Sequence, residues 1–252
     1  MGESFKIVLD KDIDVSKMTL VMGFPGVGLI GTIGANFMAD SLKMELVGHL
    51  QSEKLPPAAV VQDGVPLHPV RFYLKDSLMI MLSDFAIPVQ LSNAISETVL
   101  GWTGDKNRFK TIIALEGLMA EPTAEEKEVR VFGVGSTESA RDLLKKSEVG
   151  VFDHGWITGI SGLMLAEGGS RSQDVICLLA DANAMYPDAR SAAKLVEMID
   201  KLLPEIQLDL KPLYEEAEKI EENIKSQMEK AKDLVAARQV PADRMAKSYM
   251  YG

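Results

Sequence analysis

An α/β layered fold with a mixed, mostly parallel central sheet is what this 252-residue sequence predicts. Three observations carry that reading. Short apolar runs alternate with segments of helical period along most of the chain, the pattern of strands feeding crossover helices. Runs such as Thr19–Met22 and Thr111–Leu115 are apolar at nearly every position, as expected of strands covered on both faces. Val70–Leu74 and Leu78–Leu82 flank Lys75-Asp76-Ser77 as a hairpin, which adds an antiparallel part.

Taken in order, Phe5–Leu9 is a first strand, ended by Lys11 and Asp12. Thr19–Met22 follows and runs into the turn Gly23-Phe24-Pro25-Gly26-Val27-Gly28. The helix after it is expected to carry Gly28, Gly31, Ala35 and Ala39 along one face. Glycine inside a helix costs about 1 kcal/mol relative to alanine, so this repetition calls for close approach of a sheet or a ligand. Glu45–Leu50 and Ala58–Gln62 are further strands, separated by Leu55-Pro56-Pro57 and closed by the turn Asp63-Gly64. After the hairpin comes Ser83-Asp84, then a helix led by Pro88 with Leu91, Ile95, Val99 and Trp102 on its apolar stripe.

Val129–Val134 is the strand after Thr111–Leu115, and Thr137 is placed to cap a helix over Glu138–Lys146. A glycine-rich stretch, Gly155–Gly169, contains a helix through Ile160, Leu163, Met164 and Leu165. Asp174–Ala180 is the last strong strand, and Ser191–Leu203 is an amphipathic helix ended by Pro204. The chain thus divides into a core of residues 1–203, a helical extension over 204–238 and a polar tail over 239–252. In the extension, Leu213, Ala217, Ile220, Ile224, Gln227, Ala231 and Leu234 form a narrow seam on one long helix, Leu213–Arg238. Such a seam suits packing along the core or contact between subunits. The tail ends in Tyr249-Met250-Tyr251-Gly252, an apolar finish that calls for a receiving surface.

Composition narrows the function classes. A net charge of -10 argues against nucleic acid as the main partner. The single cysteine, Cys177, lies in the apolar run Val175–Leu179, which excludes an internal disulfide and suits a core position in a reducing compartment. With no signal-like N-terminus and no apolar run of about 18 residues, a cytoplasmic, soluble protein is expected.

Gly26-Val27-Gly28-Leu29-Ile30-Gly31 satisfies G-x-G-x-x-G after a strand and before a helix, the setting of a pyrophosphate site. The acidic residue such a site needs about 20 residues on is poorly supplied. Glu45 falls too early in its strand and Glu53 lies beyond it. No Lys-Ser or Lys-Thr follows the glycines, which excludes a Walker loop. Close packing is the better account of Gly23, Gly26, Gly28 and Gly31, and no cofactor is expected. His49, His68 and His154 are isolated and lack metal-ligand spacing, so no metal is expected either. Gly159-Ile160-Ser161-Gly162 misses a nucleophile elbow by one position. Ser83-Asp84 and Asp153-His154 lie at loop sites after strands, where α/β enzymes keep catalytic groups, and hydrogen-bonded structural roles are the competing reading.

Gly23-Phe24-Pro25-Gly26-Val27-Gly28, Asp63-Gly64-Val65-Pro66, Gly159-Ile160-Ser161-Gly162-Leu163 and Tyr186-Pro187-Asp188-Ala189-Arg190-Ser191-Ala192 occur in this order. Together they resemble the proteasome assembly chaperone 2 family, in its archaeal type with a C-terminal extension, over most of residues 5–203. Ala189 stands where that pattern has a second proline. The resemblance implies a three-layer sandwich similar to nucleoside phosphorylases but without their catalytic apparatus. It implies a non-catalytic, ATP-independent chaperone or adaptor, expected as a homo-oligomer. It further implies that a C-terminal hydrophobic-Tyr-X tripeptide, here Met250-Tyr251-Gly252, docks between α-subunits of the proteasome core particle. The alternative is a phosphorylase- or hydrolase-like enzyme with a ligand at the glycine-rich loop, served by Asp84 and His154.

Overall fold

The computed structural model describes residues 5–102, 108–119 and 128–219. In chain order its strands are β1 (Lys6–Leu9), β2 (Thr19–Gly23), β3 (Glu45–Gln51), β4 (Val60–Gln62), β5 (Val65–Leu67), β6 (Val70–Lys75), β7 (Leu78–Ser83), β8 (Thr111–Met119), β9 (Val131–Gly135), β10 (Gly150–Val151) and β11 (Val175–Ala182). The helices are α1 (Ile30–Ser41), α2 (Val89–Gly101), α3 (Glu138–Lys146), α4 (Gly159–Ser170) and α5 (Ala189–Leu202). Among the described residues, nine strands form one sheet in the order β1-β3-β6-β7-β2-β8-β11-β9-β10, and β4-β5 make a separate two-stranded ribbon.

The most apolar runs take the middle of the sheet. β7, β2, β8 and β11 lie side by side and parallel, and every residue of the four except Met119 is buried or half-buried. A strand covered on both faces gains from apolar side chains at every position, so these runs do not alternate. The flanks differ. β6 pairs antiparallel with β7 and β3, β1 with β3, and β9 with β11. With the parallel β9–β10 pair at the far edge, four of the eight strand pairings are parallel, three of them at the centre.

Successive residues of the central strands feed two cores. Val21, Ile80, Ile113, Leu115, Ile176 and Leu178 face a layer containing α1, α3 and α5, where Ile30, Met38, Leu195 and Val196 are fully buried. Leu20, Met22, Met79, Met81 and Ile112 face the opposite layer, with Ile95 of α2 and Met164 of α4. The result is the expected helix–sheet–helix sandwich. Leu213 and Ala217, from the helical segment 211–219, are buried in the first core, so the start of the C-terminal extension packs along its own domain. The seam beyond residue 219 lies outside the described residues.

Local signals set several boundaries. The Thr137 side chain accepts a hydrogen bond from the Ala140 amide at the start of α3, as the sequence predicts. Asp188 does the same for Ser191 and starts α5 at Ala189, two residues ahead of the expected Ser191. The turn Asp63-Gly64 has positive φ at both residues, 50° and 80°, the geometry that closes a two-residue hairpin. Its return strand β5 and the two-residue β10 were not anticipated. One expectation is corrected. Gly28 is not on the helix: it is left-handed at φ 64°, Leu29 follows at 54°, and α1 begins only at Ile30.

Candidate functional site

Because β2, β7, β8 and β11 are parallel, Gly23, Ser83, the Glu116–Met119 end of β8 and Ala182 all emerge at one edge of the sheet. In open α/β sheets that edge is where ligands bind. Met250, Tyr251 and Gly252, expected to bind a partner, lie outside the described residues. The glycine-rich loop and the strand-end carboxylates lie at this edge.

The loop's glycines make room for protein. A Cβ on Gly23 would lie 2.3 Å from Ala35 Cβ and 2.5 Å from the Gly31 carbonyl oxygen. One on Gly31 would lie 2.6 Å from the Leu115 carbonyl oxygen, and one on Gly28 would lie 2.9 Å from that of Asn183. β2, α1, β8 and the start of α5 thus meet main chain to main chain. The Asp188 amide completes the joint by donating to the Gly28 carbonyl at 2.8 Å. The space above Gly26 is held by a carboxylate, with Glu116 Oε2 3.0 Å from where its Cβ would be. An acid at that place opposes a pyrophosphate.

Glu116 was not singled out in the sequence. It is the one charged residue of β8, placed where that strand leaves the core. Ser161 Oγ, in the first turn of α4, donates to its Oε1 at 2.5 Å. Burial raises the carboxyl's pKa, and the serine hydrogen bond opposes that rise in part. Cys177 on the adjoining β11 is fully buried. Its thiol pKa is pushed well up, first by burial and then by the Glu116 charge, so it is not a nucleophile.

Ser83 and Asp84 take part in a different construction. Arg71 of β6 is 2% exposed, and its Nη1 donates to Asp84 Oδ2 at 2.5 Å and to the His68 carbonyl at 3.0 Å. Arg71 Nε donates to the Tyr73 hydroxyl at 2.9 Å, and Ser83 Oγ donates to the Phe85 carbonyl at 2.8 Å. Asp84 is therefore the counter-ion of a buried guanidinium, which keeps it from acting as a free base. Beside it, the rings of His49 and His68 stack at 3.6 Å with 4° between their planes. Asp153 and His154 are exposed in the loop before α4, and among the described residues neither forms an ion pair. Glu45 pairs with Lys11 at the surface, and Glu53 is exposed. No acid/base pair is assembled from the residues considered for one. Among the described residues no group of three His, Cys, Asp or Glu side chains is placed to hold a metal, and no helix is long and apolar enough to cross a membrane.

A family model for the PAC2 family matches residues 20–228. This chain belongs to the PAC2 family. An uncharacterized protein from Methanocaldococcus jannaschii is 30% identical over 225 residues, covering 89% of this chain and 91% of that protein. The crystal structure of Pyrococcus furiosus PbaA, described as an archaeal homolog of proteasome-assembly chaperone, superposes with a TM-score of 0.82 at 30% identity. It covers 98% of this chain and 99% of that one. Pyrococcus furiosus PbaB, described as an archaeal proteasome activator, gives a TM-score of 0.77 at 24% identity over 90% of this chain and all of that one, a likeness of fold. The PAC2 match begins at Leu20, so it takes in β2 and the whole glycine joint.

Proposed function

We propose that this chain is a proteasome assembly chaperone or adaptor that works without ATP and without catalysis. The observation that supports this most is the end-to-end likeness to PbaA, which spans nearly all of both chains at 30% identity. The strand-end groups point the same way, since Asp84 and Glu116 are tied into structural contacts rather than into an acid/base pair.

The docking element in this reading is Met250-Tyr251-Gly252, entering pockets between neighbouring α-subunits of the core particle. The Gly252 carboxylate pairs with a cationic side chain in the pocket, a charge-assisted bond of about 1.5–3 kcal/mol. Tyr251 buries its ring and hydrogen-bonds through its hydroxyl, while Met250 fills an adaptable apolar slot. A single tail binds weakly. A homo-oligomer that engages several tails at once gains about 10²–10⁴ in affinity, provided their spacing matches the ring.

Removing Met250-Tyr251-Gly252, or adding one residue after Gly252, tests this by co-sedimentation with core particle or isolated α-subunits. Loss of co-sedimentation in both variants is the expected result. Undiminished binding would sink the tail mechanism while leaving a chaperone role through the folded core open to the same assay.

A further inference from the structure

The β4–β5 ribbon is an excursion between β3 and β6, which are themselves neighbours in the main sheet. It belongs to no larger sheet and exposes Val61 and Val65 at 69% and 54%. Two-stranded ribbons are marginal in water unless something holds them. The chain leaves for the ribbon just after His49 and returns through His68, directly after β5. The two imidazoles close its base, stacked face to face at 3.6 Å with their planes nearly parallel. The return strand is further held by the bond from Arg71 Nη1 to the His68 carbonyl.

We propose that the His49–His68 stack is a proton-operated clasp, which ties the return from β5 to β3 and so closes the base of the β4–β5 ribbon near neutral pH, and which opens on acidification. Neutral imidazoles stack favourably, whereas two imidazolium rings face to face at this separation repel. Burial favours the neutral form of His49. From β6, Arg71 lies beside the stack, its charge matched by Asp84 from the end of β7, and Tyr73 is bound to the same guanidinium. Across from His49, β1 presents the apolar Val8, and just beyond β1 Asp10 attracts a proton. Burial and the His68 charge outweigh Asp10, so the His49 pKa falls below its ordinary 6.5. The sign follows from that depression. The clasp contributes fully above pH 6.5, and its contribution is lost as the pH falls through the lowered value.

The test is amide hydrogen exchange of residues 60–67 in the full chain, corrected for intrinsic exchange, with ring signals of His49 followed by NMR. Protection should fall by about ten-fold or more between about pH 8 and pH 5 while β2 and β8 stay protected. His68→Phe keeps a ring on the stack and removes one proton site, so the ribbon should remain protected at both pH values. His68→Gln removes ring and charge together and should leave the ribbon exchanging rapidly at both. His68 is exposed, so neither change threatens the core. An equal pH response in the unmodified chain and the Phe variant overturns the proposal. So does unchanged protection in the Gln variant at about pH 8.

Discussion

The glycine joint and the Arg71–Asp84 corner lie at the same edge of the sheet and are held by opposite means. In the joint, Gly23, Gly28 and Gly31 bring main chain up against carbonyl groups and the Cβ atoms of small or capping residues, with no room for a side chain of their own. In the corner, a guanidinium without access to water is surrounded by a carboxylate, a phenol and a carbonyl. The first tolerates no added atom. The second tolerates no lost charge. Specificity in the joint is steric and independent of pH, whereas the corner and the stacked histidines beside it hold the groups whose charges can be altered.

Substitutions separate the two modes. Gly23→Val carries the largest expected loss, above about 3 kcal/mol, because its Cβ meets both Ala35 and the Gly31 carbonyl with neither able to withdraw. Chemical denaturation measures it, and near-normal stability would show that α1 can slide away from β2. Asp84→Ala comes next, costing about 3 kcal/mol by leaving a buried guanidinium unpaired. The lower end of the range applies because Asp84 is 26% exposed and water can reach its place. Replacing the pair together, with Arg71→Met and Asp84→Leu, should restore most of that loss if the cost is uncompensated charge rather than lost packing.

Glu116→Gln works in the other direction. Burial raises the carboxyl's pKa in the fold, so its ionised form opposes folding once the pH exceeds the unfolded value of 4.5. Glutamine keeps an acceptor for Ser161 and should raise Tm by about 2–4 °C at neutral pH. The gain should shrink as the pH falls and vanish below 4.5. An equal gain at all pH values would assign it to packing. The smallest effect belongs to Trp156→Ser. Its ring is 92% exposed, so the change should stay within about 0.5 kcal/mol in dilute protein. A loss that grows with protein concentration would mark the ring as covered in an oligomer.

The legibility of these features in the sequence follows from how local they are. Thr137 and the Asp63-Gly64 turn act on residues within three positions, and both are found where the sequence places them. The buried strands announce themselves by continuous apolar runs. β5 does not, because Val65-Pro66-Leu67 is short and carries a proline. The left-handed pair at Gly28-Leu29 depends on the approach of Asn183 and Asp188, more than 150 residues away, so a helix starting directly at the glycines was the natural expectation. Glu116 and Arg71 carry a usable signal: Glu116 is the one charged residue of β8, and Arg71 the one charged residue of β6 ahead of its terminal Lys75. Their partners Ser161 and Asp84 were 45 and 13 residues distant, and only folding brings them together.

Cys177 has a practical corollary. It is the chain's one cysteine, and its thiol sits inside β11 with none of its surface accessible. Thiol reagents under native conditions therefore find the folded molecule blank. A cysteine introduced at Ser248, just ahead of Tyr249-Met250-Tyr251-Gly252, would be the sole labelling position, and a fluorophore there could report on tail engagement without a background from the core.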